Sequence, residues 1–259
     1  MDLDLSGKIA LVTGASKGIG QAATLRLIEE GASVFACARN QAGLDSLQTQ
    51  VRGLGLGKIE VGSADMTRPG DIKTAVAKCL ESFGRIDILV NNAGSARPGA
   101  FLETTDQDWL EDWNLKFFGY MRMAREVFPY MRQQHGGVIV NIIGMGGFMP
   151  NNRYMTGGSA NAALNHFTKA LAQEAIPFGI RVVGINPGAI LTDRLSDYAK
   201  RLSGTADTSA VIRAMSPMGR AGKPQEVANL IAFLASERAG FINATNVTID
   251  GGFNQSLIN

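Results

Sequence analysis

A chain of 259 residues that is 45% hydrophobic and 19% charged can bury one sizeable core, and residues 1–259 are read as a single domain. A formal net charge of +2, with no block of like charge, gives no footing for nucleic acid or a membrane surface as partner. The acidic opening M-D-L-D-L-S-G-K is unlike a secretory signal, and no apolar run approaches the length of a membrane span, so a soluble, cytoplasmic setting is expected.

The first predicted strand, Ile9 to Val12, runs into Thr13–Gly20, T-G-A-S-K-G-I-G, and then into an amphipathic stretch from Gln21 to Glu30 that ends at Gly31. Strand, glycine turn and helix in this order let the backbone approach a ligand, with the helix amides directed at a phosphate. The pyrophosphate of a dinucleotide is the natural occupant, although a spaced-glycine turn can also bind nothing. Thr13, Gly14, Ser16, Lys17, Gly18, Ile19 and Gly20 are the candidate contacts. The second strand, Ser33 to Ala38, ends at Arg39, where an acidic side chain would favour NAD and a basic one NADP. Arg39 and Lys17 together favour NADP(H) over NAD(H), the alternative being two solvated cations. Cys37 and Cys79, in a predicted strand and helix, read as core packing rather than as a disulfide or metal framework.

A helix over Gln41 to Leu54 and a short strand over Ile59 to Val61 lead to Asp65-Met66-Thr67. At a strand's carboxyl end Asp65 and Met66 would meet the adenine ring, or the polar cluster would cap a helix starting near Asp71 and running to Phe83. The strand Ile86 to Val90 ends in Asn91-Asn92-Ala93-Gly94, where Asn91, Ala93 and Gly94 allow close backbone approach to a cofactor, or form a simple turn. Arg97 on the following loop could meet an anionic substrate, with a solvated cation as the default, and His166 reads as a satisfied or surface histidine.

Taken together, T-G-x-x-x-G-x-G at 13–20, D-x-T at 65–67, N-N-A-G at 91–94, Asn114 in N-L-K-F-F-G, P-G-x-x-x-T from Pro187 to Thr192 and the closing Asp250-Gly251-Gly252 resemble the short-chain dehydrogenase/reductase family over nearly the whole chain. The resemblance implies an α/β fold, a single Rossmann-like, doubly wound parallel sheet of about seven strands flanked by helices. It also implies a homo-oligomer, tetramer or dimer, and hydride transfer between NADP(H) and a small-molecule alcohol or ketone. Pro187, Gly188, Ile190 and Thr192 would bracket the nicotinamide. An insertion at about 190–220, with Arg194, Tyr198, Lys200, Arg201 and Arg213, would form the substrate lid. Beyond it, Pro224 to Ala235 reads as a helix and Asn246 to Ile249 as the final strand.

The family's chemistry uses a serine, a tyrosine and a lysine four residues after the tyrosine. Aligning S-A-N-A-A-L at 159–164 and Val138–Gly144 with the corresponding family segments places Gly144, Gly157 and Asn161 at those positions, and only the supporting Asn114 matches. Asn161 can still donate to a ribose hydroxyl. Tyr154, three residues before Gly157, could lean into the vacated space as a substitute donor or serve packing. Gly144, Gly146, Gly147, Gly157 and Gly158 would enlarge the site and uncover backbone amides, suited to lyase or acyl chemistry. Three activities therefore stand open: an oxidoreductase with a relocated proton donor, a non-redox enzyme, and a catalytically silent NADPH-binding protein.

Overall fold

The computed structural model describes residues 2–55, 57–193, 195–197, 200, 211, 213 and 215–254. Its strands are β1 (Ile9–Thr13), β2 (Ser33–Ala38), β3 (Ile59–Ser63), β4 (Ile88–Asn91), β5 (Gly137–Ile142), β6 (Ile180–Pro187) and β7 (Asn246–Ile249). They form one parallel sheet in the order β3-β2-β1-β4-β5-β6-β7. All five residues of β1, I-A-L-V-T, are buried, as expected of a strand covered on both faces rather than one.

Alternation along the strands divides two cores. Val12, Val90, Val140 and Val183 pack on one side with α1 (Gly18–Glu29), α2 (Gln41–Leu54) and α7 (Pro224–Ala235). Leu11, Leu89, Ile139 and Val182 pack on the other with α3 (Pro69–Phe83), α5 (Gly119–Gln133) and α6 (Met155–Ala175). Cys37 and Cys79 are buried free thiols in the second core, where burial pushes each up to about 12. No helix among the described residues is long and apolar enough to cross a membrane.

Strand β2 and helices α2 and α7 have the ends expected from the sequence. Helix α1 starts at Gly18, not Gln21, because the second half of the glycine turn is itself the first helical turn. Helix α3 starts at Pro69, not near Asp71, with proline in a first-turn position where it lacks no useful N–H. A π-helical turn, Asn114–Phe118, joins α4 (Asp106–Trp113) to α5, and no sequence periodicity announced it. Of the expected lid, Arg194, Tyr198 and Arg201 lie outside the described residues.

Strands β2 and β3 lie to one side of β1 and strands β4 to β7 to the other. The chain changes winding direction between β1 and β4, and the crevice beyond their carboxyl ends is where such sheets bind ligands.

Candidate functional site

The glycine turn lies in that crevice. Gly14 and Gly18 have φ of +66° and +60°, left-handed values that glycine adopts without steric cost. A Cβ on Gly20 would stand 2.5 Å from the Asn92 side chain and closer still to the Gly14 carbonyl, so only glycine lets α1 start this near β4. Lys17, the N-cap of α1, makes no side-chain capping bond. The Asn92 amide donates to the carbonyls of Thr13 (3.0 Å) and Gly14 (3.2 Å), and the Thr13 hydroxyl accepts from the amides of Asn92 and Ala93. Asn92 thus fixes the turn. Nothing in N-N-A-G announces this role, because a side-chain clamp between two strand ends has no periodic signature.

Ser16 and Ile19 lie partly exposed in the turn, and Arg39 is exposed directly after β2. Lys17 reaches the other way, to Asp193 at 3.2 Å, a largely solvent-exposed pair at the start of the segment after Thr192. The Thr192 methyl faces Gly18, and its hydroxyl accepts from the Leu195 amide at 3.4 Å. Gly188 is held by its amide to Ile249, and Ile190 is buried and bridged to Gly222. Pro187, the last residue of β6, is half-buried beside them.

Asp65 accepts from the Thr67 amide and hydroxyl and does not cap α3, whose N-cap is Arg68. Burial opposes its ionisation, but those hydrogen bonds and the nearby Arg39 and Arg68 outweigh burial and hold its carboxyl below the usual range. Met66 and Asn91, two of the candidate contacts, have buried side chains. The Met66 side chain is buried in the second core, leaving only its backbone for a ligand. Asn91 is also buried, donating to Asn141 at 3.0 Å while Asn141 donates to Thr168, so its side chain belongs to a polar ladder beneath the site.

At the carboxyl end of β5, Gly144 has φ of +125°, a conformation that L side chains rarely adopt. The Asn161 side chain is aimed at it, with Nδ2 3.0 Å from where a Gly144 Cβ would lie. Asn161 is buried, and among the described residues its Oδ1 has no hydrogen-bond partner. The aromatic ring of Tyr154, N-cap of α6, fills the position that a Gly157 side chain would take: a Cβ there would lie 2.5 Å from its Cε1 and from its hydroxyl oxygen. The same ring edge lies 3.3 Å from the Cβ position of Gly146. Tyr154 therefore sits in a slot between two glycines.

The roomier, amide-lined pocket expected from the glycine cluster is accordingly not what these residues build. Gly146, Gly147 and Gly158 instead seat the turn after β5 directly on the α6 backbone, a Gly158 Cβ standing 3.0 Å from the Gly146 carbonyl. The amides of Gly144, Gly147 and Gly158 donate internally, to Asn186, Gly144 and Tyr154. Asn114 accepts from Arg122 at 2.6 Å and donates to the Thr67 carbonyl at 3.5 Å, which ties it to the turn after β3.

Lys116, in the π turn, escaped the sequence reading although a lysine inside N-L-K-F-F-G is an audible departure from the apolar run. It is buried, donates to the Ile142 carbonyl at 2.8 Å, and lies against Gly94. Arg97 is half-exposed and paired with Asp108, Glu111 and Asp112, and His166 is exposed. A cleft of about 540 Å³ lined by Lys8, Arg85, His135, Arg181 and Glu237 lies at the amino ends of the strands, remote from these residues, and its Arg85 and Lys8 are paired with Asp87 and Glu237. Among the described residues no group of His, Cys, Asp and Glu is placed to hold a metal ion.

A sequence model of the family described as enoyl-(acyl carrier protein) reductase matches residues 14–254. The chain is 37% identical over 251 residues to the 3-oxoacyl-(acyl-carrier-protein) reductase of Thermotoga maritima, covering 96% of this chain and 98% of that protein. Among solved structures, L-sorbose reductase from Gluconobacter frateurii, complexed with NADPH and L-sorbose, superposes with a TM-score of 0.93 at 33% identity over 98% of both chains. A short-chain type dehydrogenase/reductase from Mycobacterium marinum superposes with a TM-score of 0.91 at 32% identity over 97% of both.

Proposed function

The chain belongs to the short-chain dehydrogenase/reductase family, and we propose that it is an NADP(H)-dependent oxidoreductase of a small carbonyl or alcohol, working from a site altered at Gly144, Gly157 and Asn161. The observation that carries this reading is the crevice itself. The glycine turn, Asn92 and Thr192 meet there beyond β1 and β4, and the residue directly after β2 is the basic Arg39 rather than an acid.

The residues present fit the cofactor. First-turn amides of α1, free of a side-chain cap, would hold the pyrophosphate. Arg39 would pair with the additional phosphate, joined by Lys17 once it leaves Asp193. Asp65 and the Met66 backbone would line the adenine, and Ala93, Gly94, Pro187, Gly188, Ile190 and Thr192 the nicotinamide end. The buried Oδ1 of Asn161, without a hydrogen-bond partner among the described residues, supplies an acceptor suited to a ribose hydroxyl, where the family's lysine donates instead. Bound NADP(H) would supply or receive the hydride.

We also take residues 1–259 as one domain with a substrate lid at about 190–220, and the chain as a homo-oligomer. Exposed Leu102, Leu110 and Phe118 support such a contact. The relatives' names suggest the first probes, a 3-oxoacyl thioester and L-sorbose, followed by loss of NADPH absorbance. Cofactor consumption dependent on one probe is the expected result. Absence of NADPH binding, or binding with no turnover of these or other ketone probes, would contradict the oxidoreductase reading.

A further inference from the structure

We infer that the Tyr154 phenol is the proton donor of this site, delivered from the N-cap of α6 into the space that Gly157 leaves open; this rests on the oxidoreductase reading. Tyr154 and Gly157 are one helical turn apart, and in helices side chains lean toward the amino end. A phenol three residues earlier can therefore share the place of a side chain on Gly157 only if Gly157 has none. The structure meets that condition, with the Tyr154 hydroxyl oxygen 2.5 Å from the Gly157 Cβ position.

A second observation comes from the opposite wall. The ring edge lies 3.3 Å from the Gly146 Cβ position, and the Asn161 amide nitrogen lies 3.4 Å from the same point. The Tyr154 ring and the buried Asn161 side chain, whose Oδ1 has no partner among the described residues, thus converge on the turn after β5, at the carboxyl edge of the sheet. A side chain added at Gly146 or Gly157 would meet the ring, so these two glycines make the slot that holds it.

In the reducing direction the substrate's carbonyl carbon gains a hydride from the reduced nicotinamide cofactor, and its oxygen gains the phenol proton. The C–H bond of the reduced cofactor, the carbonyl π bond and the phenol O–H bond break, new C–H and O–H bonds form on the substrate, and the phenolate recovers a proton from water. The ketone is reduced and the cofactor oxidised.

The test combines a placement readout with kinetics. Labelling with 3-fluorotyrosine gives one ¹⁹F resonance for each of the four tyrosines, and the one missing in Tyr154→Phe identifies residue 154. That resonance should shift on saturation with NADP⁺. No shift, with calorimetry showing that NADP⁺ binds, would overturn the inference and leave the cofactor reading standing; no binding at all would overturn both. With whichever ketone probe the wild type reduces, Tyr154→Phe should lower kcat by about 10²-fold or more while the Kd for NADPH stays within about twofold. The double variant Tyr154→Gly, Gly157→Tyr, which returns the phenol to position 157, should recover activity lost in Tyr154→Phe. Unchanged kcat in Tyr154→Phe would also overturn the inference.

Discussion

The ring of Tyr154 occupies the side-chain space of Gly157, with its hydroxyl oxygen 2.5 Å from where a Cβ on that glycine would lie. A methyl group placed at 157 cannot coexist with this ring. Gly157→Ala should destabilise the fold by about 1–3 kcal/mol, the usual range for overpacking, despite the better helix propensity of alanine. Denaturant unfolding checks this, and removing the ring by Tyr154→Ala should abolish most of the penalty in a double-mutant cycle. A Gly157→Ala chain as stable as wild type, with Tyr154 intact, would show that the ring lies elsewhere.

Gly144 makes a different point about reversibility. Its φ of +125° means that restoring a serine there strains the backbone as well as adding a hydroxyl. Gly144→Ser should cost about 1–3 kcal/mol in unfolding experiments. It should also give no gain in activity by itself, because a family-like serine requires the turn after β5 to adopt another conformation.

How far the sequence carried the reading can be seen residue by residue. Continuous apolar runs and the glycine turn made β1, β2 and α1 legible, because burial on both faces and phosphate geometry each leave a local pattern. Asn92 and Lys116 were not legible as site residues: their roles depend on strand ends and a π turn meeting in space. The glycine cluster was read with the wrong sign. Five residues without side chains suggest space, but backbone atoms approached until Gly146 and Gly158 touched, and Tyr154 took the rest. Met66 illustrates the converse, since family position alone does not say whether the side chain or only the backbone faces the crevice.

Arg39 should determine cofactor choice. Arg39→Ala should weaken NADPH binding by roughly 1.5–3 kcal/mol, more than tenfold, while leaving NADH binding nearly unchanged, because only NADPH carries the additional phosphate. Parallel calorimetric titrations check this. Equal losses for both nucleotides would assign Arg39 to general stability.

Acid sensitivity should have a contribution from the start of α7. Glu226 accepts from Arg220 through both carboxylate oxygens at 2.8 Å and from the Lys223 amide at 2.7 Å, which brings its carboxyl from 4.5 down to about 2. Because the folded value lies below the unfolded one, the stabilisation is full above pH 4.5 and is lost as pH falls through about 2. The stability difference between wild type and Glu226→Gln should therefore be constant near neutrality and shrink on acidification. A difference independent of pH would contradict the linkage.

The most direct test of the whole account is a titration of the purified chain with NADPH and with NADH, followed by heat or nicotinamide fluorescence, since it needs no knowledge of the substrate. Tight binding of NADPH and much weaker binding of NADH is the predicted result. Failure to bind either nucleotide would contradict the account, leaving a dinucleotide-binding fold put to some other use.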